Sequence, residues 1–231
     1  MSKLNTRTLA ILAMLSALAY VIMFFSQTLL PPIVPMIPLR YDPKDIIIII
    51  GGFLYGPLAV VAMSVTVSFI EMLTVSPTWL YGLVMNVVAT CSFALPAAVI
   101  YKKKRTITGA VIGLAVGLVI MVATMMLWNY IITPIFLVAT LDWAREAGTA
   151  EMRRQVAGML ASVFLPFNLL KGGMNAALIM LIYKPVTIAL RKTGMLPEAD
   201  QKGKANPGVL LASLFAVVTC VLLTLVFMGV I

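Results

Sequence analysis

Asn168, Lys171 and Asn175 stand three and four residues apart in PFNLLKGGMN (166–175), so one helix face would carry two amides with an amine between them. Their neighbours are apolar enough to face lipid. A lysine at mid-helix there costs about 2.5–3.5 kcal/mol on insertion scales, and such a residue is expected to face a cavity or a partner. A second set lies in WNYIITP (128–134), where Asn129 sits between Trp128 and Tyr130, with Pro134 one turn on. Amides offer paired donor and acceptor edges, and lysine adds a charged donor. Aromatics and an apolar lid can enclose a flat ring. Together they suit a planar, polar-edged heterocycle better than an inorganic ion. Each part also has a plainer use. Lys171 could pair with Glu71, the one acid expected within a span, or snorkel to the interface. The asparagines could bond between helices for roughly 0.6–2 kcal/mol each, and Trp128 and Tyr130 could belong to an interfacial belt.

The elements that must position these groups are membrane helices. Of the 231 residues, 62% are hydrophobic and only 11% charged, with a mean hydropathy of +1.07, far from a soluble domain. Spans are expected at 9–25, 80–100, 107 to about 141, and 156–190, with a further apolar run at 209–231. The block 46–70 contains Gly51-Gly52 and Gly56-Pro57, and predicts two short helices, 43–55 and 57–73, joined by a tight turn. Asp42-Pro43 would cap the first of them. The segment LLPPIVPMIPLRYDPKD, with Pro31, Pro32, Pro35 and Pro38, predicts an extended apolar loop. DWAREAGTAEMRRQ predicts a charged outer loop with some helix.

Charge placement decides the parity of the 46–70 block. Lys3 and Arg7 precede the first span, and YKKKR ends the run at 80–100; both favour the cytoplasmic side. They agree if the block crosses twice, and a re-entrant hairpin would also satisfy the parity; two short helices are the preferred reading. Six spans then place eleven of the 17 Lys and Arg inside and five outside, among them Arg40 and Lys44, with Lys171 in the membrane. The net charge of +9 therefore marks topology, and no nucleic-acid surface is implied. The predicted organisation is an all-α membrane protein: a six-helix bundle (1–190), a polar cytoplasmic linker (191–206) and an additional transmembrane helix (207–231). Cys91 and Cys220 lie in apolar runs and suggest no disulfide. With no histidine, no nucleophile–base pair and no metal cluster, an enzyme is not expected. Two small-residue faces concern packing: Ala10, Ala13 and Ala17 in the first span, and Gly109, Gly113 and Gly117 in the fifth, the latter expected to pack internally.

In this order, YDPKDIIIIIGGFLYGP (41–57), WNYIITPIF (128–136) and PFNLLKG (166–172) resemble the riboflavin-specific S-components of energy-coupling factor (ECF) vitamin transporters. The resemblance runs from the first span to about residue 190. It implies a six-helix bundle with cytoplasmic termini and a first loop covering an outward-open site. It implies that Asn129, Asn168 and Lys171 hold the flavin ring, with Trp128, Tyr130, Leu39 and Tyr41 around it. The isoalloxazine imide presents an N–H between two carbonyls, which an amide complements. Lysine would also accept a phosphate, so flavin mononucleotide stays open. Ala13 and Ala17 would dock on a transmembrane coupling protein. Two ATP-binding-cassette ATPases would supply the energy, since the chain has no Walker motif. Riboflavin would be the transported ligand, with no cofactor, and the chain would topple in a prokaryotic cell membrane to release it. The alternatives are an S-component for another vitamin, an intramembrane enzyme, and a ligand-free structural subunit. The run at 207–231 departs from the six-helix pattern, and would obstruct coupling if it covered the Ala13 face.

Overall fold

A computed structural model of the chain describes residues 6–33, 39–192 and 207–230. Lys3, Pro35, Pro38 and residues 193–206 of the expected linker, with Lys202 and Lys204, lie outside them. The elements are α1 (Thr6–Leu29), α2 (Lys44–Tyr55), α3 (Pro57–Thr74), α4 (Trp79–Lys104), α5 (Ile107–Thr140), α6 (Asp142–Ala147), α7 (Thr149–Met159), a π-helical turn (Leu160–Phe164), α8 (Leu165–Lys192) and α9 (Pro207–Phe227). Among the described residues no strand occurs. The charged segment expected as an outer loop forms α6 and α7. The π turn ends two residues before Pro166, whose missing N–H cannot continue the regular ladder.

Among the described residues, six helices are long and apolar enough to cross a membrane: α1, α3, α4, α5, the continuous run from α7 through α8, and α9. Helix α2 is not among them. Its 12 residues reach about 18 Å, short of a hydrocarbon core of about 30 Å. It is instead the centre of the bundle, packed by α1, α3, α4 and α8. Ile48, Ile49 and Ile50 are completely buried. A helix apolar on every side has no lipid- or water-facing stripe to prefer, so it takes the interior.

The two-helix reading of 46–70 holds, because α2 and α3 form an antiparallel hairpin. Gly56 makes its turn at φ 94°, a left-handed conformation that glycine adopts without a Cβ penalty. A Cβ there would lie 3.7 Å from Lys102 Nζ. The α2–α3 turn and the basic end of α4 therefore share one end of the bundle, as the charge parity required. The segment before α2 lies at the other end.

Glycine spacing brings α4 and α5 together. A Cβ on Gly113 would meet Ala97 O at 2.9 Å, and one on Gly117 would strike Phe93 O. The doubled GxxxG is an internal contact. Gly117→Ala is expected to push the two backbones apart and cost about 1–3 kcal/mol. Gly173→Ala, which meets only Cys220 Sγ at 3.8 Å, should change little. Thermal unfolding in detergent compares them; equal stability of the two variants would contradict this packing.

Helix α9 packs on α8 and keeps most of its surface outward, with Leu211 70% and Phe215 73% exposed. Gly208, Leu211, Ala212, Leu214, Phe215 and Val218 line an apolar groove on it. Such a surface suits lipid. Ala10, Ala13 and Ala17 are exposed on α1.

Candidate ligand-binding site

Helices α5 and α8 present the sequence-predicted polar residues. Gly172 of α8 packs against Leu118 and Met121 of α5. From that antiparallel register, Asn129 stands roughly 6–10 Å further along the bundle axis than Asn168. Both amides are buried, at 8% and 6% exposure. Asn168 Nδ2 donates to Phe164 O at 2.7 Å, inside its own helix. Asn129 Nδ2 donates to Met125 O at 2.7 Å, and its Oδ1 accepts from Thr133 Oγ1 at 3.1 Å. An amide NH2 carries two hydrogens, so each side chain is held by one and has a second N–H to give.

Asn129 is oriented from further away. Trp128 Nε1 donates to Tyr81 OH at 3.1 Å, and Tyr81 OH lies 2.7 Å from Thr133 Oγ1. Thr133 has one hydroxyl hydrogen and spends it on Asn129, so Tyr81 must be the donor to Thr133. The relay Trp128, Tyr81, Thr133, Asn129 thus runs in one direction and fixes which end of the amide faces which way. Tyr81 also stacks on Phe136 with centroids 4.1 Å apart. Neither Tyr81 nor Thr133 stands out in the sequence; Thr133 lies four residues after Asn129, which was the available signal.

Tyr130 does not join this group. It is 43% exposed and stacks with Arg153, whose Cζ is 5.9 Å from its ring centroid. One residue along a helix is about 100° around it, so Trp128 and Tyr130 cannot both share a face with Asn129.

The segment 39–45 lies over α8 and is fixed at several points. Leu39 is half-buried and its carbonyl accepts from Ile33 N at 2.8 Å. Tyr41 OH donates to Asn175 Oδ1 at 2.6 Å, while Asn175 Nδ2 donates to Asp42 O at 3.2 Å. Asn175 therefore binds the first loop, and only Asn168 and Lys171 of the three-residue stripe are left for a ligand. Ser26 Oγ donates to Tyr41 O at 2.6 Å. Asp42 Oδ1 accepts the Lys44 backbone N–H at 3.2 Å, one residue ahead of the N-cap position of α2, which is Pro43 and not the expected Asp42.

Two expectations about charge are corrected here. Lys44, placed among the external cations, is 1% exposed, and Asp45 is completely buried. Glu71 is therefore not the sole acid in the membrane domain, nor Lys171 the sole cation. Lys44 Nζ lies 2.5 Å from Asp42 Oδ2 and 2.7 Å from Glu71 Oε2. Asn86 Nδ2 donates to Glu71 Oε1 at 2.9 Å, and Thr90 Oγ1 to Asp45 Oδ1 at 2.6 Å. Lys171 reaches Asp42 Oδ2 at 3.8 Å, with its side chain 12% exposed. Glu71 is thus the partner of Lys44, and Lys171 is half tethered and half available. The signal for Lys44 and Asp45 was their attachment to DIIIIIGGFLY, a helix with no polar face, whose first turn must be buried with the rest.

Residues 7–183 match the model of the ECF transporter substrate-specific component. The chain belongs to this family. Curated relatives of this substrate-specific component include the riboflavin transporter RibU of Staphylococcus aureus (strain TCH60), 26% identical over 82% of this chain and 97% of that protein. The RibU of Streptococcus thermophilus (strain ATCC BAA-250 / LMG 18311) is 28% identical over 81% of this chain and 86% of its own length. The riboflavin transporter FmnP of Bacillus subtilis (strain 168) is 27% identical over 78% and 92%. A solved S component of a bacterial ECF transporter superposes with a TM-score of 0.61 at 26% identity, covering 82% of this chain and 99% of that one. The substrate-specific component described here is accordingly a multi-pass membrane protein of a transport system.

Proposed function

We propose that this chain captures riboflavin from outside a prokaryotic cell and delivers it inward as the S-component of an ECF transporter. The observation that carries the reading is the pair of buried, pre-oriented asparagines on α5 and α8, with Lys171 three residues from Asn168 on the same helix and the segment 39–45 over α8. In this reading the spare amide N–H groups of Asn129 and Asn168 and the Lys171 ammonium address the polar edge of the isoalloxazine, and Trp128, Leu39 and Tyr41 shape its surroundings. The names of the relatives support riboflavin over other vitamins. Hydrogen bonds to a fixed amide reject analogues lacking the matching group, because buried donors would be left unpaired.

The N-terminus and the basic end of α4 face the cytoplasm, where positive charge is favoured. The Ala13 and Ala17 face docks on a transmembrane coupling protein, and two ATP-binding-cassette ATPases drive toppling through it. The position of α9 on α8 is compatible with this, since it leaves that face open. The chain needs no resident cofactor of its own.

The direct test is titration of the detergent-purified protein with riboflavin, following quenching of flavin fluorescence. Saturable quenching at or below micromolar riboflavin is expected, with no response to thiamine or folate as competitors. Absence of quenching at that concentration would overturn the substrate assignment. Deleting residues 207–231 should change the riboflavin Kd by less than about threefold, since α9 packs mainly on α8 while Asn129, Asn168 and Lys171 are carried by α5 and α8. A larger loss in the same titration would make α9 part of the site's support.

A further inference from the structure

Asn175 shares the α8 face of Asn168 and Lys171, but it is completely buried, and both ends of its amide are committed to the segment before α2. Its Nδ2 faces Asp42 O at 3.2 Å. A carbonyl can only accept, so the amide has one orientation there. Its Oδ1 then faces Tyr41 OH at 2.6 Å, and the tyrosine must be the donor. Tyr41 has a single hydroxyl hydrogen, and Asn175 takes it. At the other end of the residue, Tyr41 O accepts from Ser26 Oγ of α1 at 2.6 Å. Its neighbour Arg40 donates to the carbonyls of Gln27 and Leu30, at the end of α1. Tyr41 is therefore strung between two helices, held at its main chain by α1 and at the tip of its ring by α8. Asp42, the next residue, lies 3.8 Å from Lys171 Nζ, so this segment adjoins the site face of α8. A side chain tied at both ends has given up its rotamer freedom before a ligand arrives.

We propose that Asn175 is a positioning residue that makes Tyr41 a fixed wall of the ligand site. Tyr41 gives the ligand the side of its ring and no hydroxyl hydrogen, because that hydrogen is spent on Asn175. Asn175 itself touches no ligand and acts only through Tyr41. The inference rests on the riboflavin reading above, and adds a residue which that reading leaves unused, together with the part of Tyr41 that the ligand meets.

The test uses the full chain in detergent and rapid-mixing fluorescence, which reads riboflavin association as quenching and dissociation as its recovery. Tyr41→Phe, Asn175→Ala and the double variant are compared with the parent. Tyr41→Phe removes one hydrogen bond and should raise the dissociation rate about 3–10-fold. Asn175→Ala removes two and should raise it about 10–50-fold, with association within about threefold of the parent. The double variant should match Asn175→Ala within about twofold, because the two residues act as one unit. A parent-like dissociation rate in Asn175→Ala overturns the proposal, whatever its unfolding midpoint, since a purely structural asparagine would lower the midpoint alone. So does a double variant in which Tyr41→Phe adds its full factor, which would place the tyrosine hydroxyl on the ligand. Should Asn175→Ala fail to fold, Ser26→Ala decides by releasing Tyr41 at its other end: faster dissociation is expected, and a parent-like rate overturns the proposal. If the parent binds no riboflavin, the riboflavin reading has failed and this inference with it. Parent binding with unaltered rates in the variants removes the inference alone.

Discussion

A Lys44→Met variant will be the least stable single substitution in the polar core of this protein. Lys44 is 1% exposed and lies within hydrogen-bond reach of both Asp42 and Glu71. Methionine fills nearly the same space, so packing changes little while two buried carboxylates lose their common cation. Removing one partner of a buried pair typically costs about 3–5 kcal/mol, because the charge left behind cannot return to water. Lys171 can answer only part of the deficit, from 3.8 Å. Thermal unfolding of the detergent-solubilised protein should show a large drop in the midpoint or loss of the monodisperse species. Adding Glu71→Gln removes one of the stranded charges and should restore part of the stability. A Lys44→Met protein as stable as the parent would mean that the triad is solvated and is not holding α2 to α3.

The second large effect falls on binding and spares the fold. Lys171→Ala removes a charged donor, worth about 1.5–3 kcal/mol where it bonds a ligand, or roughly 10–100-fold in riboflavin Kd. Stability should change little, because Asp42 keeps Lys44 as its principal cation. Asn129→Ala should weaken binding by a similar order. Thr133 would lose its acceptor on Asn129, but its hydroxyl can rotate to a backbone carbonyl of its own helix, as Thr140 does toward Phe136. Quenching titrations of both variants, alongside their unfolding midpoints, separate the two outcomes. Parent-like binding by both would place the flavin elsewhere in the bundle.

These expectations differ in how far the sequence could have supplied them. The Asn168–Lys171 pair and its neighbour Asn175 are visible in any helical reading, because residues three and four apart share a face whatever surrounds the helix. What each member touches is not visible. Asn175 bonds Tyr41 across 134 positions of sequence, and no local pattern encodes that. Trp128 and Tyr130 flank Asn129 symmetrically in the sequence. They part only in the bundle, where one meets Tyr81 and the other meets Arg153.

By itself the sequence determined the apolar spans, the hairpin turn at Gly56, the parity of the basic ends and the internal use of the fifth span's glycines. Hydropathy, positive φ and the absence of a Cβ are properties of single residues and short windows, so they survive without knowledge of neighbours. Only the tertiary structure decided that α2 is too short to span and is wrapped by four other helices. Through that burial, Lys44 and Asp45 became interior charges instead of surface ones. A side chain's exposure is a sum over every element packed around it, and for α2 that sum runs over residues from Ile11 in α1 to Ile179 in α8.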